Sequence, residues 1–132
     1  ILPTVKTNGV LYTQCTPRNG LICGSSSILA TEGWNWEDAV HSADIGVHLT
    51  WPPINRRKFD FSTFSFSVSP NKDYDKQVME LQQFFAEATS YGAQSTKDAH
   101  LKFDAMQGVF SGNQTLVVHA NNPKEIVESV RF

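Results

Sequence analysis

The sequence predicts an α/β fold, and three segments carry that expectation. Thr115-Leu116-Val117-Val118 is a continuous apolar, β-branched run, the pattern of a strand buried on both faces, as in a parallel sheet between helices. A short turn, His119 to Asn121, leads from it into Asn122-Pro123-Lys124-Glu125, a helix start with an N-cap Asn, Pro at the first helical position and an acid at the third. Upstream, Tyr74, Val78, Leu81, Phe85, Ala88 and Tyr91 recur at helical spacing, and Gly92 sits where a helix stops.

The remaining elements follow in chain order. Val10 to Thr16 is rich in β-branched and aromatic residues and ends at the turn cluster Pro17-Arg18-Asn19-Gly20, which predicts a strand and a loop. Leu21 to Thr31 fits a buried strand bent at Gly24. Trp34 to Val40 reads as a helical turn capped by Asn35. In Asp44 to Trp51 the alternation of Ile45, Val47, Leu49 and Trp51 predicts a strand, ended by Pro52-Pro53. Residues 54–72 carry Phe59, Phe61, Phe64 and Phe66 among polar residues, which fits either a short strand pair or a loop packed over the domain. A second helix is predicted over His100 to Val109, with Leu101, Ala105 and Val109 on one face and Gly112-Asn113 as the exit.

The chain has 132 residues, enough for a single domain and a real core but not for two domains. Its 40% hydrophobic and 18% charged residues are a globular mixture, which disfavours disorder. A formal charge of −2 gives no electrostatic footing for nucleic acid or an anionic membrane, so neither is expected as a partner. No apolar stretch approaches the roughly 20 residues that cross a bilayer. A soluble protein is expected, cytoplasmic or periplasmic. The sequence has neither an initiator Met nor a signal peptide, and Glu125 to Phe132 reads as a helix cut off mid-pattern, so an excerpt from a longer polypeptide is expected.

Among chemically capable residues, His119 stands at the carboxyl end of its strand, where open α/β sheets and barrels place binding groups. The plain alternative is that it caps the next helix. His41, Asp44 and His48 offer imidazole and carboxylate within eight residues, but on a strand Asp44 and His48 would stand about 13 Å apart, which argues against shared ligation. Cys15 and Cys23 can pair if their strands are neighbours, or Cys15 can act as a nucleophile with His119; buried free thiols are the more ordinary expectation. Trp34, Trp36 and Trp51 suit a sugar platform or plain packing. The sequon Asn113-Gln114-Thr115 directly precedes a buried strand and reads as coincidence, and Arg56-Arg57-Lys58 as a solvated loop.

The segment from Leu116 to Val130, with Val118-His119-Ala120-Asn121 near its start, resembles the stretch "vHAnraddIraalr" of the metal-dependent amidohydrolases related to imidazolonepropionase. His100 to Met106 is similar to that family's "dLkleAl" helix, Gly9 to Ser27 to its "GvttvlvtPgsgnlisGqsa" stretch, and Trp34 to Val40 to "wtvedavl". The resemblance implies a TIM-like (β/α) barrel, here a partial one with mostly parallel strands and flanking helices. It also implies one or two divalent ions, zinc or iron, which activate water against a C–N bond of a small amide-type substrate. In that family the ligands are a His-x-His after the first strand, a His after the fifth, a His after the sixth and an Asp after the eighth. By its motif His119 resembles the fifth-strand ligand.

This sequence has no His-x-His, and a whole barrel needs roughly 250 residues. The resemblance therefore implies residues 1–132 as one barrel fragment, running from near the second strand into the helix after the fifth, inactive and metal-free alone. Its apolar strand faces would then either drive self-association or be covered by its own helices and the Phe59 to Phe66 segment. The competing reading is a non-catalytic α/β binding or scaffold module with Phe59, Phe61, Phe64, Trp34 and Trp36 as an exposed aromatic face. A relative that has lost its metal stands between the two.

Overall fold

The computed structural model describes residues 2–94 and 98–132. Its elements are α1 (Leu2–Thr7), β1 (Tyr12–Cys15), β2 (Ile22–Ala30), α2 (Trp36–Ala39), β3 (Val40–Thr50), β4 (Asn55–Asp60), β5 (Ser65–Pro70), α3 (Tyr74–Gly92), α4 (Leu101–Phe110), β6 (Thr115–His119) and α5 (Pro123–Arg131). The first strand is shorter than its sequence pattern, and α1 had no sequence signal. Asn35 caps α2 as expected, its side chain accepting from the Asp38 amide at 2.8 Å.

Four strands form one sheet in the order β1-β2-β3-β6, and β4 and β5 form a separate hairpin. β2 pairs antiparallel with both β1 and β3, while β3 and β6 run parallel, Gly46 opposite Thr115 and Thr50 opposite His119. The expectation of mostly parallel pairing is therefore corrected to a mixed sheet whose parallel pairing is β3 with β6. Connection length explains it: residues 16–21 and 31–39 are too few for a parallel crossover, which needs about a dozen or more, whereas residues 51–114 are ample.

The core lies on one side of this sheet. Val47, Leu49 and Trp51, alternating along and just beyond β3, are buried with Leu81 and Ala88 of α3 and Met106 of α4, and Leu116, Val118 and Ala120 pack against the same clusters. β6 packs on the α3 and α4 side through Leu116 and Val118, and Leu116, Val117 and Val118 are half-buried rather than fully enclosed.

Helix α3 presents the face its periodicity predicts, but α4 does not. Val109 turns inward as expected, but Leu101 is 86% exposed and Ala105 is exposed too, and Phe103 and Met106 take the inward positions instead. Met106 reaches Val47 and Ala88, and Phe103 packs on Phe84 with ring centroids 5.3 Å apart. Leu101 and Ala105 line an open groove of about 600 Å³ with Ile22 and Phe84. The phenylalanine-rich segment is the strand pair, with Phe59 opposite Phe66. Its rings pack on one another, Phe59 lying 4.9 Å from Phe61 and Phe66, while Phe61, Phe64 and Phe66 stay 79%, 81% and 71% exposed. They do not close over the sheet.

Two polar devices fasten the helices. Glu125, only 5% exposed, completes a capping box with Asn122: its carboxylate accepts from the amides of Asn122 (3.1 Å), Asn121 (3.2 Å) and, from the loop after β3, Ile54 (2.9 Å). Tyr74 accepts from the Trp51 indole at 3.1 Å and donates its hydroxyl to Glu128, joining α3, the core and α5.

Two outcomes follow from these contacts. Glu125→Ala leaves three part-buried amides without their acceptor and should lower stability by about 1–2 kcal/mol in urea titrations, with the m-value unchanged; a loss below about 0.5 kcal/mol would contradict the fastening role. Burial, then the Glu128 carboxylate beside it, pushes the Tyr74 hydroxyl above its ordinary value of 10.0. The unfolded chain thus releases this proton first, so this stabilisation is intact below about pH 10 and is lost as pH rises through the folded-state value. Melting curves from pH 9 to 11.5 should show the decline, and Tyr74→Phe should make it shallower; identical slopes would contradict it.

Candidate functional site

The alternation that buries Val47 and Leu49 under the helices sends His48 to the opposite face of β3, and the same period in β6 puts His119 there, opposite to Val118. Parallel pairing at matched register then brings the two imidazoles together. His48 Nδ1 lies 2.8 Å from His119 Nε2, with ring centroids 5.1 Å apart and planes at 22°. His48 is 3% exposed, whereas His119, the last residue of β6, is exposed.

β2 supplies the third member. The strand is bulged between Ile22, which pairs with Leu49, and Gly24, which pairs with His48, and Gly24 takes φ +119°. The extra residue reverses the alternation, so Ile22 faces the helices while Ser26 faces His48. Ser26 Oγ is 2.8 Å from His48 Nε2, accepts from Gln14 Nε2 at 3.0 Å and donates to the Gly46 carbonyl at 3.3 Å. A polar row of Gln14, Ser26, His48 and His119 thus crosses all four strands on the face away from α3 and α4.

Gly46 sets the spacing of this row. A Cβ there would lie 2.8 Å from the Thr115 carbonyl oxygen, so β6 approaches β3 closely only because residue 46 has no side chain. Burial, then the facing His119 imidazole, lowers the pKa of His48 below the ordinary imidazole value. Both of its nitrogens are engaged. His119 uses Nε2 on His48, and Nδ1 has no hydrogen-bond partner among the described residues.

The other sequence candidates lie elsewhere. Asp44, at φ 49°, accepts from Ser25 Oγ and donates its amide to Ser27 Oγ at 3.1 Å, and His41 packs against Tyr12. Cys15 and Cys23 are both free thiols; Cys15 is exposed and Cys23 half-buried, so the expectation of burial fails for the first. With β2 and β3 between β1 and β6, Cys15 stands at least about 14 Å from His119, too far to be its nucleophile partner. Trp51 belongs to the core while Trp34 and Trp36 are exposed, so the three form no single platform. Arg56 pairs with Asp73 at 3.2 Å on the surface. Ser26, Gln14 and the His48–His119 contact were missed by local spacing, because 22 and 71 residues separate the partners.

For a metal, the chemistry of His119 fits. It is an imidazole oriented through one nitrogen with the other uncommitted, which suits zinc or iron. It is a single ligand, and no cluster of three or more His, Cys, Asp or Glu capable of holding an ion occurs among the described residues.

Comparison with known proteins places the fold. No family model and no curated protein matches the chain. A solved structure, the crystal structure of an amidohydrolase from Thermotoga maritima MSB8, matches with a TM-score of 0.66 and 12% sequence identity over 93% of this chain. The fold is amidohydrolase-like. The chain spans 33% of that neighbour's length. No helix among the described residues is long and apolar enough to cross a membrane.

Gly46→Ala should force β6 away from β3, costing about 1–3 kcal/mol and weakening amide protection from Thr115 to His119 in hydrogen exchange. Unchanged stability and protection would contradict the close-approach role.

Proposed function

We propose that this chain is the part of an imidazolonepropionase-related, metal-dependent amidohydrolase that delivers one imidazole, His119, to a divalent-metal centre. The reaction is hydrolysis of a C–N bond in a small amide or cyclic amide. One observation carries the reading: His119 ends the parallel strand β6 on the face away from α3 and α4, with Nδ1 uncommitted among the described residues. The fold shared with part of an amidohydrolase supports it, as does the Val118-His119-Ala120-Asn121 motif.

A bound zinc or iron ion supplies Lewis acidity, bringing a water's pKa towards neutrality and polarising the carbonyl. His119 contributes one neutral donor to it, and His48, with both nitrogens engaged inside the sheet, holds that donor in place and is not itself a ligand. One imidazole is not a catalytic site, so the 132 residues alone are inactive and the remaining ligands come from the rest of a longer protein. A second reading, a binding or scaffold module, is favoured by the exposed phenylalanines of the β4–β5 hairpin.

The test is made on the product of the full reading frame that contains this segment. Elemental analysis should find a divalent metal, and His119→Ala should reduce metal content and lower C–N hydrolysis by more than about 100-fold. A His119→Ala protein with full metal and full activity would overturn the assignment, and a metal-free wild type would favour the binding module.

A further inference from the structure

We infer that the β4–β5 hairpin is a membrane-contacting arm, which lays Phe61, Phe64 and Phe66 against a bilayer surface rich in anionic lipid headgroups. The inference goes beyond the hydrolase reading and does not depend on it. Antiparallel register divides the hairpin's side chains between two faces. Arg57 opposite Val68 and Phe59 opposite Phe66 share one; Arg56 opposite Ser69, Lys58 opposite Ser67 and Asp60 opposite Ser65 share the other. The turn adds two rings to the first face, Phe61 and Phe64, whose centroids lie 4.9 and 6.2 Å from that of Phe59. Every residue of the two strands except Phe59 is exposed, and the pair forms a sheet of its own. Asn71 fastens its base, donating its amide to the Ile54 carbonyl and its side chain to the Pro53 carbonyl, each at 2.8 Å. The aromatic cluster is thus supported by the hairpin itself and presented outwards. Phe64 has φ 48°, a conformation that Asn or Gly adopts readily and a bulky side chain resists. An 81% exposed phenyl ring held there serves neither the turn nor the core, and a ligand outside the fold accounts for it.

Charge selects the ligand. The overall −2 that argues against an anionic membrane is an average over two unlike parts. Residues 54–72 hold Arg56, Arg57, Lys58 and Lys72 against Asp60, a charge of +3, which leaves −5 on the rest of the chain. Arg56 pairs with Asp73, whereas Arg57, Lys58 and Lys72 have no acidic partner among the described residues. The Asp60 carboxylate is folded into the turn, accepting from the Ser62 amide at 2.9 Å and hydroxyl at 2.6 Å. One element is therefore both apolar and cationic. That combination suits a bilayer, where phenyl rings enter the boundary between headgroups and acyl chains while Lys and Arg stay among anionic headgroups.

A second copy of the chain fits this face less well. At about 200 Å² for a phenylalanine, the exposed parts of Phe61, Phe64 and Phe66 come to roughly 450 Å². Stable dimers bury about 800 Å² per partner, and two arms set face to face would bring like charges together.

The experiment is co-sedimentation of the full reading frame's product with vesicles of phosphatidylcholine alone and of phosphatidylcholine mixed with phosphatidylserine. Binding is expected to the mixed vesicles only, and should weaken about fivefold or more between about 0.1 and 0.5 M salt. Phe64→Asn is the decisive variant. Asn is at ease at positive φ, so the protein keeps its fold and its melting temperature, while affinity for the mixed vesicles falls about tenfold. Arg57→Gln combined with Lys58→Gln should lower it by a similar factor of about ten. Absence of binding to the mixed vesicles, equal binding to both kinds, or full affinity in the folded Phe64→Asn protein would each overturn the inference. So would a dimer that forms without lipid in sedimentation velocity and dissolves in Phe64→Asn, which would give this face to a second copy.

Discussion

The parallel pairing of β3 with β6 is the contact on which the rest of the molecule depends. It joins the first half of the chain to the last helix, and its register decides which side chains meet on each face of the sheet. On one face it aligns Leu49 and Trp51 with Leu116 and Val118 to make the floor on which α3 and α4 rest. On the other it sets His48 beside His119. A shift of one residue would exchange the faces, burying imidazoles under the helices and exposing the apolar floor. Gly46 makes the approach of the two strands feasible, and Glu125 anchors the chain just after the pair to the loop just after β3.

The sheet is mixed because its connections are of two kinds. Short loops on either side of β2 enforce hairpin-like, antiparallel neighbours, and the long excursion through the β4–β5 hairpin, α3 and α4 permits the parallel return. β1, β3 and β6 consequently run the same way with β2 reversed between them. The reversed strand has a structural consequence: its bulge at Gly24 turns Ser26 towards His48, so the polar row crosses the whole sheet.

Much of this was legible along the chain. The helix of α3 is written in Tyr74, Val78, Leu81 and Ala88, and the start of α5 in Asn122, Pro123 and Glu125, because both signals are local and repeat or cap within a few residues. His119 was legible as a strand-end residue for the same reason. What local patterns do not encode was misread or missed. The inward face of α4 depends on how far Met106 and Phe103 reach towards Val47 and Phe84, which no helical period specifies. His48 was weighed against Asp44, four residues away, whereas its partners are 22 and 71 residues distant. A signal was present: His48 interrupts the apolar run Val47, Leu49, Trp51 on the alternate face, two residues after Gly46, which admits the neighbouring strand.

The face away from α3 and α4 has one continuous polar feature. It is a hydrogen-bonded row that begins at Gln14, is deeply buried at Ser26 and His48, and opens to solvent at His119. At its open end His119 Nδ1 has no hydrogen-bond partner among the described residues, and the proposed metal would be held there. The most direct measurement is an anomalous difference map at the zinc absorption edge, from crystals of the full reading frame's product grown with zinc. The expected result is a peak within coordination distance of His119 Nδ1 and none at His48; a bound zinc remote from His119 would contradict the central claim.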